Sequence, residues 1–149
     1  MRTILKLVIA LMLLPGMFVQ AQTLEDGVKA MENENYKTAR DIFQKVSNAD
    51  PANASALFYL GEALFKTGDV AAAQSAYDKC VVAQPTEYNG YIGQAKCMLD
   101  NGNVKDAEKK IAMVVSASKG KDQTILCYIA EAYAFNKNHD WVKGIEYAQ

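Results

Sequence analysis

A chain of 149 residues with 50% hydrophobic and 22% charged side chains has the balance of one globular domain and is too apolar to stay unfolded. Sixteen basic against 17 acidic side chains leave a net charge of −1, so there is no basic field to hold a nucleic-acid backbone. The one histidine, His139, argues against both a Ser-His-Asp triad and a multi-histidine metal site.

Residues 1–21 place Arg2 and Lys6 before the apolar run Leu7 to Leu14, break at Pro15-Gly16 and end Val19-Gln20-Ala21. That is the three-part layout of a secretory signal peptide, with cleavage expected between Ala21 and Gln22. The apolar run is shorter than the roughly 20 residues that cross a bilayer. No cysteine precedes Cys80 to accept a lipid. The mature product is therefore expected to be a soluble, mildly acidic exported protein spanning residues 22–149, in the periplasm of a Gram-negative bacterium.

Beyond the leader, apolar spacing predicts helices over 23–33, 36–48, 53–67, 70–83, 87–101, 104–117, 122–137 and 140–149. The third is the clearest. Leu57, Leu60, Gly61 and Leu64 recur at i, i+3, i+4 and i+7, which is one face of a helix. Asn53-Ala54-Ser55 has the form of a glycosylation sequon, but Asn53 reads first as the cap of this helix. Gly68-Asp69 interrupts the pattern, and Ala73, Tyr77, Cys80 and Val81 resume it, so two antiparallel helices are joined by a tight turn. Gly61 and Ala73 are small and are expected to face each other where the pair crosses most closely. Pro85 then ends the unit, because it cannot continue a helix and disfavours helical geometry at Gln84.

The same arrangement returns at an offset of 34 residues. Gly27, Gly61 and Ala95 share a column, as do Ala39, Ala73 and Ala107, then Phe43, Tyr77 and Ile111, and finally Pro51 and Pro85. In the turn column Gly68-Asp69 stands opposite Gly102-Asn103 and Glu34-Asn35. A period of this length belongs to a stacked array whose units are each too small to bury their own apolar face. With Leu57, Leu60-Gly61, Leu64, Ala73, Tyr77 and Pro85, the second copy resembles the tetratricopeptide repeat family. The resemblance extends over the mature chain, with copies at about 22–53, 54–87, 88–121 and 122–149, the last degraded by two extra residues within 134–139. It implies an all-α, right-handed superhelical solenoid of helix pairs whose first helices line an inner groove.

Function is expected in that groove. The second copy offers Ser55, Phe58, Glu62 and Phe65, the third Asn89, Ile92, Lys96 and Leu99, the first Leu24, Val28 and Met31, and the fourth Thr124, Cys127 and Glu131. Of these, Phe58, Glu62, Phe65, Asn89, Ile92, Lys96, Leu99 and Glu131 are the candidate partner contacts; packing between neighbouring first helices is the competing role. Family members that clamp the carboxylate tail of chaperones use lysine and asparagine on successive first helices. The corresponding positions here hold Leu24, Phe58 and Ile92, and Val28, Glu62 and Lys96, so the clamp is absent.

Cys80, Cys97 and Cys127 match no metal or redox spacing and read as buried small hydrophobes, with Cys80 and Cys97 as the one pair that could bridge. No phosphate-loop, nucleophile-elbow or zinc-protease string occurs. The expectation is a non-catalytic periplasmic scaffold without cofactor or metal that holds a protein or peptide in its groove. The alternative is the amino-terminal repeat region of a longer cell-envelope protein. The short final helix bears Trp141 and Tyr147 and lacks a polar cap, so self-association through this end is expected as well.

Overall fold

The computed structural model describes residues 23–120, 122–137 and 140–149. The expected leader and His139 lie outside them. The described residues form eight helices in four antiparallel pairs: α1 (Leu24–Glu32) with α2 (Tyr36–Ala49), α3 (Ala54–Lys66) with α4 (Val70–Ala83), α5 (Tyr88–Asp100) with α6 (Val104–Ala117), and α7 (Gln123–Ala134) with α8 (Trp141–Ala148). None of these helices is long and apolar enough to cross a membrane.

Short polar side chains set the helix starts. Thr23 and Asp26 form a reciprocal capping box on α1, with Thr23 N donating to Asp26 Oδ2 at 2.9 Å and Asp26 N to Thr23 Oγ1 at 3.2 Å. Asn53 caps α3 through Ala56 N at 2.9 Å, as the sequence predicts, and Asp69 caps α4 through Ala72 N at 3.1 Å. Each of the first three pairs turns on a residue in the left-handed region: Glu34 (φ 56°), Gly68 (φ 86°) and Gly102 (φ 80°). Glycine takes that conformation without penalty, so the first turn, on Glu34, is the strained one.

Pairs stack so that each second helix packs on the next first helix and successive first helices lie side by side. Phe43, Tyr77 and Ile111, in one column of the repeat, are fully buried between pairs. The crossing of α3 and α4 departs from expectation. A methyl group added at Gly61 would overlap the ring of Tyr77, and one added at Gly93 of α5 would overlap the same ring. Gly61 is therefore small to admit Tyr77 rather than to meet Ala73.

The last two junctions depart from the repeat, the first of them by loosening. Lys119 (φ 60°) and Gly120 (φ 61°) stand where proline ends the earlier units, and α6 touches α7 far less than α4 touches α5. Helix α7 stops at Ala134, not residue 137. Asn136 Nδ2 donates to the carbonyls of Ala132 (2.9 Å) and Tyr133 (2.7 Å), taking up helix-end acceptors. Lys137 N donates to Asp100 Oδ1 at 3.1 Å and its Nζ lies 3.0 Å from Asp100 Oδ2, so the turn is tied back to the end of α5.

All three cysteines are free thiols. Cys80 and Cys97 are buried as expected, and Cys97 Sγ faces Val70 O at 3.8 Å instead of bridging. Cys127 is exposed, contrary to expectation. Its repeat equivalent Ile92 is covered by Ile125 and Ile129 of the next first helix, whereas no described first helix follows α7. Burial pushes the Cys80 thiol up to about 11 and the Cys97 thiol up to about 12, so neither supplies thiolate at neutral pH. A thiol-exchange reagent is expected to titrate one thiol per folded chain and three in denaturant; rapid reaction of all three in the folded protein would contradict this packing.

Candidate interaction surfaces

The first-helix side is built around a charge pair one repeat apart. Lys96 Nζ of α5 donates to both carboxylate oxygens of Glu62 on α3, at 2.8 and 2.7 Å, and Tyr77 OH donates to Glu62 Oε1 at 2.7 Å. Burial and the neighbouring Glu62 charge raise the Tyr77 phenol well above its usual range, so it stays a donor. Lys96 Nζ also stands 5.3 Å from the ring centre of Phe65. Because Glu62 and Lys96 neutralise each other inside the fold, Lys96 is not available to hold a carboxylate tail.

Of the eight candidate contacts, Phe58, Glu62, Ile92, Lys96 and Leu99 are buried within the chain, between 1% and 6% exposed. Phe65, Asn89 and Glu131 remain partly exposed. Asn89 Nδ2 donates to Glu87 Oε1 at 2.9 Å, local to the start of α5. Two tyrosines that the stripe omits fill much of the inner side. Tyr59 stacks on Phe43 at 5.4 Å, and Tyr128 of α7 meets Phe58 edge-on at 5.2 Å. Tyr128 also hydrogen-bonds with Tyr59, and burial raises its phenol above the usual range. Lys66 Nζ lies 4.6 Å from the ring centre of Phe135, a second bridge from α3 to the end of α7. The middle of the inner side is thus occupied by the chain's own aromatic rings.

An open apolar groove lies on the opposite side, between the second helices α2 and α4, with α3 as its floor. Its volume is about 890 Å³. Leu57, Leu60 and Leu64 line the floor, Ser47 lines one wall, and Ala72, Ser75 and Ala76 line the other. Val82, 81% exposed, stands among the α4 residues that line it. One repeat on, those three α4 positions hold Asp106, Lys109 and Lys110, and the three leucines become Tyr91, Gln94 and Met98. The next repeat therefore accepts charge at these positions, and at the less buried Ala72 and Ser75 packing alone does not exclude it; Ala76 belongs to the core, and Asp78 and Lys79 already bring charge to the same wall. That contrast within the sequence was the available signal for this surface.

Residues 25–88 match the family described as tetratricopeptide repeat. This stretch carries tetratricopeptide repeats. The match spans the first two pairs, and the remaining two pairs resemble them in fold. No curated protein matches its sequence. Among solved structures it is similar to the type III secretion translocator chaperone SycD of Yersinia enterocolitica in an alternative dimer, at 16% identity and a TM-score of 0.64, over 73% of this chain and 87% of that one. It is also similar to the first repeat domain of Spaghetti (RPAP3) bound to the HSP90 peptide SRMEEVD, at 20% identity and a TM-score of 0.63, over 78% and 95%. A third is YrrB, titled a repeat protein with an unusual peptide-binding site, at 22% identity and a TM-score of 0.57, over 82% and 61%. At these identities the likeness is one of fold.

Proposed function

We propose that this repeat protein is an exported, non-catalytic interaction module of a bacterial envelope that holds an aliphatic segment of a protein partner in the groove between α2 and α4. The observation that carries the reading is the leucine-floored groove that is uncharged at Ala72, Ser75 and Ala76, where the next repeat carries Asp106, Lys109 and Lys110. An open apolar trough between helices suits a segment that presents one apolar face, with rim groups such as Gln44, Asn48 and Lys79 setting its register. Two similar folds, whose titles name a bound peptide or a peptide-binding site, support a protein or peptide ligand. The leader-like residues 1–21 support export.

A second reading places the partner along the first helices, where Phe65, Asn89 and Glu131 are the partly exposed members of the stripe. One experiment separates the two. After a partner is captured from periplasmic extract, its affinity is measured for Ala72→Asp, Ser75→Lys and Phe65→Ala. The first two substitutions transplant what the third repeat already carries, so folding should survive them. Groove binding predicts at least ~10-fold weaker affinity for both and little change for Phe65→Ala. Loss with Phe65→Ala alone would move the partner to the first-helix side.

A further inference from the structure

The first and last described helices differ in kind. At the α1 end, Glu25, Lys29 and Glu32 are exposed. They occupy the repeat positions held in α5 by Gly93, Cys97 and Asp100, of which Gly93 and Cys97 face the preceding pair, against Tyr77 and Val70. The α1 face is therefore closed by charge. At the α8 end, Phe135 (55%), Trp141 (53%), Val142 (69%) and Ile145 (57%) are exposed.

The repeat columns explain why this end is also indented. Phe43 fills the space over Gly27, and Tyr77 fills that over Gly61. In the third pair the column residues are Ile111 and Ala95, and with Gly144 in the alanine column the fourth pair has Ala148 and Ala130. A small residue now stands where the large one belongs. The result is a slot of about 250 Å³ floored by Ala130, Ala134, Gly144 and Ala148 and flanked by Phe135, Trp141 and Ile145, with Glu131 as its one charged lining residue. One surface thus carries large apolar side chains beside a hollow lined with small ones.

We propose that this face pairs with the same face of a second copy in a closed two-fold dimer, with Trp141 and Ile145 of each copy entering the other's slot. The inner interfaces of the array already work this way, with Tyr77 of α4 seated against Gly93 of α5, and the α8 face continues that surface. Head-to-tail stacking would instead bring Glu25, Lys29 and Glu32 against a slot that Glu131 already lines, desolvating three carboxylates with one lysine between them. Charge at one end and apolar surface at the other select a closed pair over an open fibre. The inference is independent of the α2–α4 groove.

Trp141 is the chain's one tryptophan, so its emission reports on this face directly. Sedimentation velocity of the protein at tens of micromolar should show a dimer, and dilution should shift Trp141 emission to the red as the face opens. Ile145→Lys, at an exposed position, should weaken the dimer at least ~100-fold with the helical spectrum unchanged. Trp141→Glu, read by sedimentation, should do the same, while Glu25→Ala leaves the dimer intact. A monomer up to ~100 µM, a dimer indifferent to both substitutions, or an open-ended series of larger species would each overturn the proposal.

Discussion

Lys96→Met is expected to destabilise the fold by about 3–5 kcal/mol, far more than a lost surface ion pair would. Glu62 and Lys96 are 6% and 2% exposed, and the ammonium holds both carboxylate oxygens. Without it, Glu62 keeps the Tyr77 hydroxyl but stays an uncompensated charge in an apolar setting. The pair itself need not be worth that much, because both ions lost their hydration on folding. The double variant Glu62→Leu with Lys96→Met should recover most of the loss, since neither charge then remains buried. Urea midpoints of the two singles and the double give the coupling. Additive losses, or a single substitution costing under ~1 kcal/mol, would show that water reaches this site.

Gly61→Ala should destabilise, reversing the usual gain of about 0.5–1 kcal/mol when alanine replaces glycine inside a helix. The added methyl would overlap the Cδ1–Cε1 edge of the Tyr77 ring, an edge already seated tightly against Gly93. The cost should reach about 1–3 kcal/mol, and Gly61→Leu should exceed it. The third repeat indicates the remedy, since it carries Ala95 with Ile111 at the equivalent positions. Gly61→Ala combined with Tyr77→Ile should therefore be less damaging than the two separate losses added together, as read from denaturant midpoints. A neutral Gly61→Ala would mean that the ring has slack the structure does not show.

Much of the architecture was legible because it repeats. A 34-residue offset exposes the columns Gly27, Gly61, Ala95 and Phe43, Tyr77, Ile111, and the caps Asn53 and Asp69 mark helix starts to within a residue or so. Periodicity states which positions are small or apolar, but not which neighbour reaches them. Hence the spacing pairs Gly61 with Ala73, whereas Tyr77 occupies the space. The same blindness affects the first-helix stripe. Spacing puts Phe58 and Ile92 on one face, but the depth of their burial depends on Tyr128 and Ile125, which come from later pairs. Helix α7 overran its true end because the side-chain bonds of Asn136 are set by local geometry rather than by pattern. The α2–α4 groove lies outside the first-helix stripe, and its mark in the sequence is the change from Ala72, Ser75 and Ala76 to Asp106, Lys109 and Lys110.

An array in which each unit touches only its neighbours can melt one unit at a time, from the weaker end inward. Here Tyr128 reaches past the third pair to Phe58 and Tyr59 of the second, and Phe135 lies over Lys66. Releasing the fourth pair therefore strips contacts from the second as well as the third. The last three pairs should lose amide-exchange protection as one cooperative unit, with the lightly packed α6–α7 junction unable to act as a boundary between independently melting halves.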